Sequence, residues 1–265
     1  MSELAAYIEG ISFIGPGLDD WAATAAVLTG QAAYAAAPTR LSPPAALPAA
    51  ERRRAGRIVQ IALAAGLEAT RHAQRDASSL PAVFSASGAD GDNCHAICET
   101  LATEQRQLSP TRFHNSVHNA AAGYWSIATG AMAASTALCA FDASFAAGLL
   151  EALTQVAVTG VPVLLVACDA PFPWPLQQKR PLPDTSGVAL LLAPAHGERS
   201  LARLSATLLD EPFERCGDPA LEGLRAQLPP GRSLPLLARL ARREAARVVV
   251  EYLGDLALCT RVEPC

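Results

Sequence analysis

The stretch VPVLLVACDAP, residues 161–171, most constrains what this chain can fold into. It has the length of one strand and carries a single charged residue, Asp169, near its end. A strand that is apolar at successive positions, without alternation, has to be covered on both of its faces. The sequence therefore predicts a sheet with helices packed on both sides, which is a layered α/β protein.

The residues just before this run predict a strand, a sharp turn and a helix. The sequence STALCAFDASFAAGLLEA, residues 135–152, indicates a strand near 134–140 and a helix of small residues from Ser144 to about Val158. A cysteine, a phenylalanine and an aspartate crowd the turn between them. Because α/β enzymes can carry a nucleophile on such a strand-to-helix turn, this turn is the first candidate for a functional site.

The rest of the chain also alternates between strands and helices. Strands are predicted at 7–15, 80–88, 186–195, 201–210 and within 247–262, and helices at about 20–30, 50–73, 93–104, 116–129, 220–229 and 234–246. Two proline-rich segments, 35–50 and 171–183, predict irregular structure. Without a visible linker or repeat, this alternation predicts one α/β domain over residues 1–265.

Composition excludes several classes of protein. With 17% charged residues and a net charge of −4, the chain has no basic surface for nucleic acid. We expect no membrane span and no signal peptide, because no run reaches ~18 uncharged apolar residues and the first residues lack a positive region. The seven cysteines lie at 94, 98, 139, 168, 216, 259 and 265. An odd number without framework spacing predicts reduced thiols, several of them buried, in a cytoplasmic protein.

Cys139 is the candidate nucleophile within the turn. A nucleophilic cysteine needs a lowered pKa, which a helix N-terminus or a neighbouring imidazole can provide. Cys139 lies close to the start of the predicted helix, but it also lies inside the apolar run TALCAF. The second observation favours a buried, inert thiol over a catalytic one.

The histidines and the remaining cysteines predict no metal site. Cys94 and Cys98 would share a helix face with His95 nearby, but no second pair follows at zinc-finger spacing. His114 and His118 are four residues apart and would share a face of one helix, yet no third ligand is evident. Phosphate-binding and dinucleotide-binding glycine motifs are also lacking, so no cofactor is expected.

The order of the segments resembles the N-terminal half of a β-ketoacyl synthase of the thiolase superfamily. The resemblance is carried by YIEGISFIGPG, LPAVFSASGADGDNCHAICETL and the run from FHNSVHN to VPVLLVACDAP. It covers roughly residues 5–195, and residues 196–265 are expected to be a short C-terminal extension of the same domain. The resemblance implies a thiolase-like fold with a mixed central sheet, truncated relative to full ketosynthases.

Two segments resemble a narrower group within this family. HNSVHNAAAGYWSIATG and SFAAGLLEAL look most like the short ketosynthase-like proteins known as chain length factors in bacterial aryl polyene and xanthomonadin-type pigment synthesis. In ketosynthases the nucleophilic cysteine opens the helix after the strand. Matching Glu151 and the small-residue helix puts Asp142 at that position, whereas matching Thr136 on the strand puts Phe141 there. For Cys139 to occupy the nucleophile position, the alignment with the ketosynthase motif would have to shift by two or three residues.

The resemblance also implies that the catalytic histidines are missing. A ketosynthase takes two histidines from its C-terminal half, and after Asp184 this chain has only His196, followed by Gly-Glu instead of Gly-Thr. The chain also ends before a second thiolase-type half could be completed. A decarboxylating condensation needs a thiolate and groups that stabilise the developing oxyanion. We therefore expect no independent condensing activity.

An inactive subunit of this family is expected to act through a partner. The resemblance implies a heterodimer with a catalytic β-ketoacyl synthase, paired along the strand in AASTALCAF, in which the inactive subunit shapes the acyl tunnel and meets acyl carrier protein only indirectly. The residues expected near the interface or tunnel are Thr136, Cys139, Phe141, Asp142, His114, His118 and Trp125. One alternative is a minimal ketosynthase or acyltransferase that uses Cys139 with His114 or His118. Another is a self-associating structural protein without a role in acyl chemistry.

Overall fold

In the computed structural model, which describes residues 4–265, the strands form one mixed sheet in the order β3-β2-β4-β5-β1-β6-β8-β7. The eight strands of the described chain are β1 (Leu4–Ile14), β2 (Ala82–Ser85), β3 (Ser135–Leu138), β4 (Val163–Asp169), β5 (Ser186–Ala193), β6 (Ala202–Leu209), β7 (Ala246–Glu251) and β8 (Ala257–Pro264). Strand β2 runs parallel to β3 and β4, and all other neighbouring pairs are antiparallel. The predicted mixed α/β sheet is confirmed.

Helices cover both faces of the sheet, as the apolar run of β4 requires. They are α1 (Trp21–Leu28), α2 (Ala49–Arg54), α3 (Arg57–His72), α4 (Gly91–Leu101), α5 (Pro110–Asn115), α6 (Ala120–Thr129), α7 (Ser144–Thr159), α8 (Pro219–Gln227) and α9 (Leu234–Arg242). Helices α3 and α6 enclose one hydrophobic core, and α7, α8 and α9 enclose the other. Every residue of β4 is buried between these two layers.

Strand β1 lies near the centre of the sheet and is shared by two neighbours. Its later part pairs with β5, and its first five residues pair with β6. The register shifts between Ile8 and Gly10, so Glu9 lies at a bulge, where its buried carboxylate accepts two hydrogen bonds from Arg75 at 2.8 and 2.9 Å. This bidentate pair keeps the buried carboxylate satisfied. It also ties the end of α3 to β1.

The sheet contains an internal repeat in its topology. Around the β1–β6 pair, the series β1-β5-β4 on one side corresponds to β6-β8-β7 on the other, and all of these pairs are antiparallel. Helix α7 is followed by β4, and α9 is followed by β7. A short 3₁₀ turn comes immediately before each of these two helices. Within the described residues, the second series has no counterpart of β2 or β3. Residues 196–265 thus extend the same sheet with a shortened copy of the first arrangement.

Two predicted helices differ from the structure. The helix predicted at 50–73 is two helices, α2 and α3, because Gly56 is extended at the point where the Asp90 carboxylate approaches it too closely for a side chain. The helix predicted at 116–129 begins only at Ala120, and a separate helix, α5, ends at Asn115. Ser109 caps α5 through its side chain, which gives that helix its own start.

One helical stretch, Phe141–Thr159, is long and apolar enough to cross a membrane by length and composition alone. Half of it is buried inside the fold, where α7 packs against the sheet. A buried core helix has the same length and apolar character, so this stretch is a weak indication of a membrane span.

Helix α3 approaches its neighbours closely at Gly66. A Cβ at Gly66 would lie 2.7 Å from Cζ3 of Trp125, whose indole is 1% exposed. By contrast, a Cβ at Gly123 of α6 would meet nothing within 4 Å.

We expect Gly66→Ala to destabilise the protein by about 1–3 kcal/mol, because the added methyl group overpacks a core that cannot move away. Gly123→Ala, the same substitution on an exposed helix surface, should instead stabilise it by up to about 1 kcal/mol through helix propensity. Urea unfolding of both variants measures the difference. Equal stabilisation by both substitutions would contradict the close approach.

Candidate functional site

The turn between β3 and α7, which we call the elbow (residues 139–144), has an unusual backbone. After Leu138 the chain forms a 3₁₀ turn, Phe141–Ala143, and α7 begins at Ser144. Phe141 has a φ of 49°, in the left-handed region that bulky residues rarely adopt. The Ser144 hydroxyl donates to the Phe141 carbonyl at 2.7 Å and accepts from the Ala140 N–H at 3.2 Å. The first residue of α7 therefore closes the turn.

The two central elbow residues both contact Arg180 but differ in exposure. Phe141 is 59% exposed, and the guanidinium carbon of Arg180 lies 3.8 Å from the centre of its ring. Asp142 is turned toward the protein, with Oδ1 2.6 Å from Arg180 Nη2 and Oδ2 3.2 Å from Arg232 Nη2. Arg180 Nη2 is off the hydrogen-bond axis, so its contact is a charge pair rather than an aligned hydrogen bond. The elbow thus combines an exposed aromatic ring with a half-buried carboxylate that is paired with two guanidinium groups.

The ion pairs of Asp142 belong to a longer chain of charges. Arg232 and Arg225 are almost fully buried, and both contact Oε2 of Glu251, at 3.2 and 3.0 Å. Arg225 also makes a bidentate pair with Glu222, which keeps its buried charge paired. In order of contact the chain runs through Glu222, Arg225, Glu251, Arg232, Asp142 and Arg180. It connects the elbow to α8, to the turn before α9 and to β7.

A buried carboxyl group lies behind the elbow at the end of β4. Asp169 is 2% exposed, and its Oδ1 accepts hydrogen bonds from the Ser87 N–H at 3.0 Å and the Ser87 hydroxyl at 2.5 Å. Its Oδ2 is buried and has no hydrogen-bond partner among residues 4–265. Burial raises the pKa of Asp169 to about 7, and the Ser87 hydrogen bonds and Arg180 lower it only in part.

Cys139 is exposed, so the interpretation of it as a buried thiol is wrong. It follows the edge strand β3, and apolar neighbours in sequence do not cover a residue at a sheet edge. Its thiol donates to the Ser87 carbonyl at 3.3 Å, and in residues 4–265 it hydrogen-bonds to no histidine. The activating imidazole that a catalytic cysteine requires is therefore not in hydrogen-bond contact with it.

The two histidines of the FHNSVHN segment do not share a helix face. His114 is exposed on α5, whereas His118 lies in the turn between α5 and α6. The Nε2 atom of His118 is buried, and no described residue forms a hydrogen bond with it. In the described part of the chain, no group of three or more His, Cys, Asp or Glu side chains could hold a metal ion.

The other candidate residues occupy two different environments. Thr136 lies on β3 and accepts a hydrogen bond from Gln155 of α7 at 3.0 Å. Trp125 is packed in the core between α3 and β2, against Phe84. This burial makes Trp125 a core residue, away from any surface that a partner could contact.

Residues that sequence reasoning missed dominate the polar part of the site. Arg180 lies in the proline-rich segment 171–183, and Arg232 precedes α9 in a turn without a recognisable motif. For Asp169 the sequence does contain an indication of a special role, because it is the one charged residue in an apolar strand. Such a charge has to be neutralised or hydrogen-bonded when the strand is buried.

Strand β3 lies at the edge of the sheet, and the segments beside it carry exposed apolar side chains. It pairs with β2 on one side only. Met132, just before β3, is 94% exposed, and Val158 on α7 and Ile127 on α6 are also exposed. Both α6 and α7 pack against β3. An unpaired strand edge with an apolar rim is typical of an interaction surface.

Comparison with known proteins identifies related sequences and folds. Residues 20–244 match the family described as beta-ketoacyl synthase, N-terminal domain, so the match extends beyond residue 195. No curated protein matches the chain significantly.

Solved structures share the fold. A chain of the ketosynthase ApeO in complex with its chain length factor ApeC, from Xenorhabdus doucetiae, has 25% identity and a TM-score of 0.74, over 97% of this chain and 99% of that one. A chain of AntDE:AntF, a type II PKS acyl-carrier protein in complex with its ketosynthase, has 10% identity and a TM-score of 0.73, over 100% of both chains. A β-ketoacyl synthase from Burkholderia phymatum STM815 has 13% identity and a TM-score of 0.59, over 92% of this chain and 71% of that one. The fold is thus thiolase-like and truncated relative to full ketosynthases.

The raised pKa of Asp169 gives a test of the site. Its carboxyl ionises near pH 4 when the chain is unfolded and near pH 7 when folded, so the native state holds the proton more tightly and stability falls as pH rises between these values. Asp169→Asn, which cannot ionise, should gain stability relative to the wild type over this range, by up to about 4 kcal/mol.

Urea unfolding of both proteins from pH 5 to pH 8 measures this difference. Asp76→Asn is the control, because hydrogen bonds from the Ser78 N–H and hydroxyl lower the pKa of that exposed aspartate below its ordinary value of about 4, so it does not titrate over this range. The control should give a constant difference from the wild type. A constant difference for Asp169→Asn as well would mean that Asp169 is ionised throughout.

Proposed function

The chain belongs to the β-ketoacyl synthase N-terminal domain family, and from that premise we propose that it is a non-catalytic, ketosynthase-like subunit of a synthase. It would serve as a chain length factor that pairs with a catalytic β-ketoacyl synthase and shapes its acyl tunnel. The product would be a polyene or fatty-acid-type chain, as in aryl polyene or xanthomonadin-type pigment synthesis.

The observation that carries this proposal is an elbow whose strained position holds no nucleophile. The left-handed residue of the turn is Phe141, which has no nucleophilic atom. The next residue, Asp142, has its carboxylate between two guanidinium groups. A group paired in this way is stabilised as a spectator anion and is a poor nucleophile.

The other groups that a condensation reaction needs are also not brought together. Decarboxylative condensation requires a thiolate and donors that stabilise an oxyanion. Cys139 hydrogen-bonds to a carbonyl, and His114 and His118 lie on separate elements. These observations favour a partner as the source of the catalytic groups.

The nature of the partner is supported by similarity and by the sheet edge. ApeO is a ketosynthase that forms a complex with its chain length factor, ApeC, and this chain resembles a chain of that complex at 25% identity. The outer edge of β3 offers backbone groups to which a strand of a catalytic subunit could be added, and its apolar rim would be covered in the process.

The proposal also covers the carrier protein and the location of the complex. Acyl carrier protein would meet this subunit only through the complex, in line with the carrier protein and ketosynthase of AntDE:AntF. A cytoplasmic location fits seven cysteines that are all free.

One alternative is favoured by a specific observation. Because Cys139 is exposed, it is accessible to an acyl donor, as a minimal ketosynthase or acyltransferase would require. Cys139→Ala distinguishes the two functions. In a complex reconstituted with a catalytic ketosynthase, this variant should retain chain elongation, measured by mass spectrometry of carrier-bound products. Loss of elongation, or condensation by the isolated wild-type protein, would favour the alternative.

Pairing through β3 gives a second test. The carbonyls of Ala134 and Leu138 accept hydrogen bonds from β2, so the alternate residue Ala137 directs its N–H and C=O groups to the outer edge. Ala137→Pro removes this outward donor and leaves the pairing with β2 intact. We expect it to weaken assembly with the ketosynthase at least about tenfold, a loss of about 1.4 kcal/mol.

The matched control is Ala137→Val, which adds a side chain and keeps the N–H group. Both variants should have the circular dichroism spectrum of the wild type. Binding measured by calorimetry or co-purification should separate them. Wild-type affinity in the proline variant would exclude strand pairing at this edge.

A further inference from the structure

The chain of charges at the elbow contains as many arginines as carboxylates. Its members are Arg180, Arg225 and Arg232, with Glu222, Glu251 and Asp142. Asp169 is buried behind the elbow and is not one of them. Because buried charges are stable only when they are compensated, one more negative charge in this region would be unfavourable. The observed arrangement therefore suits a neutral Asp169 and has no cation assigned to an ionised one.

Asp169 and Arg180 each have a buried polar atom without a hydrogen-bond partner in residues 4–265. These atoms are Oδ2 of Asp169 and Nη2 of Arg180, whose contact with Asp142 is off the hydrogen-bond axis. A carboxylate oxygen accepts hydrogen bonds and a guanidinium donates them, so each atom is a suitable partner for the other. Burial raises the pKa of Asp169, and the nearby charge of Arg180 opposes that effect.

Arg180 is the arginine that can change its partner at the lowest cost. It is the last member of the chain of charges, and its ion-pair partner is Asp142. The other oxygen of Asp142 lies 3.2 Å from Nη2 of Arg232, which is 7% exposed and also contacts Glu251. Asp142 is itself only half-buried, so water can reach it. If Arg180 moved away, Asp142 would keep one ion pair and its hydration.

Several segments of the described chain place titratable or charged groups around Asp169. The groups are Arg180 in segment 171–183, Asp142 and Cys139 in the elbow, Arg232 before α9, and Cys168 beside it in β4. Ser186 is its neighbour in β5, and the first turn of α7 carries no charged side chain. Burial raises the pKa of Cys168, so that thiol stays neutral. His118 and Asp90 line a small cavity with Cys168 instead of with Asp169.

We propose that Arg180 is a pH-dependent switch between two carboxylates. It pairs with Asp142 and packs on Phe141 while Asp169 is protonated, and it moves to Asp169 when that carboxyl releases its proton to solvent. The guanidinium then leaves the ring, so the exposed aromatic side chain next to the β3 edge loses its cation–π contact. Asp142 keeps Arg232. The inference concerns the isolated chain and does not depend on the proposed function.

NMR of the isolated protein from pH 5 to pH 8 tests the switch. Arginine side-chain protons over an aromatic ring at 3.8 Å are shifted upfield by the ring current, and Arg180→Lys identifies the signal by removing it. We expect this signal to be upfield at pH 5 and to lose most of that shift by pH 8. The carboxyl carbon of Asp169 should titrate with the same midpoint, near its pKa of about 7.

Variants assign the change to Asp169. Asp169→Asn cannot lose a proton, so the Arg180 signal should stay upfield over the whole range. Asp142→Asn removes the competing negative charge and frees Arg180, so the midpoint of Asp169 should fall by about 1 in pH. Cys139→Ser is the matched control, because it removes another titratable group near the site and keeps its shape. It should titrate like the wild type.

Three results would overturn the switch. An Arg180 signal that stays upfield to pH 8 while Asp169 titrates would mean that another group compensates the new charge. No change in either signal between pH 5 and pH 8 would mean that Asp169 keeps one charge state and Arg180 one partner. A wild-type change of the Arg180 signal in Asp169→Asn would assign the movement to a different titrating group.

Discussion

The charge on Asp142 is the interaction on which the arrangement of the site depends. A carboxylate in a partly buried turn needs compensation, and here it comes from two arginines that are distant in sequence. Arg232 belongs to the turn before α9, so its ion pair joins the second half of the chain to the elbow. Arg180 comes from the proline-rich segment and, once held by Asp142, lies against Phe141. One charge thus positions the backbone, a loop and an aromatic ring together.

The topological repeat explains why these groups meet. The elbow precedes α7 in the first series of elements, and the turn that carries Arg232 precedes α9 in the second. Because the two series are arranged around the β1–β6 pair, the starting turns of the two helices face each other in the same layer. The contact between Asp142 and Arg232 is therefore a contact between corresponding positions. The shortened second series retains this contact although it has no strands equivalent to β2 and β3 in the described chain.

Sequence reasoning succeeded where local pattern and tertiary environment agree. Strand β4 and helix α7 were predictable, because an apolar run covered on both faces and the small-residue helix before it have few alternative structures. It was wrong at Cys139, because this thiol follows a strand at the edge of the sheet, where an apolar sequence does not imply burial. It also missed the break at Gly56, where the carboxylate of the distant Asp90 leaves no room for a side chain. The ion pairs of Arg180 and Arg232 depend on contacts that no local pattern encodes.

The position of β1 also determines the order in which the sheet can be completed. β1 is the first of the described strands in the chain, but its partners are β5, Ser186–Ala193, and β6, Ala202–Leu209. The chain between β2 and β4 has its strand partners closer in sequence, so this parallel unit can assemble while the ribosome is still adding residues. β1 has to wait until β5 and β6 have emerged, and contacts between residues so far apart in sequence form slowly. The centre of the finished sheet is therefore among the last parts to form, and the central strand spends the longest time without its partners.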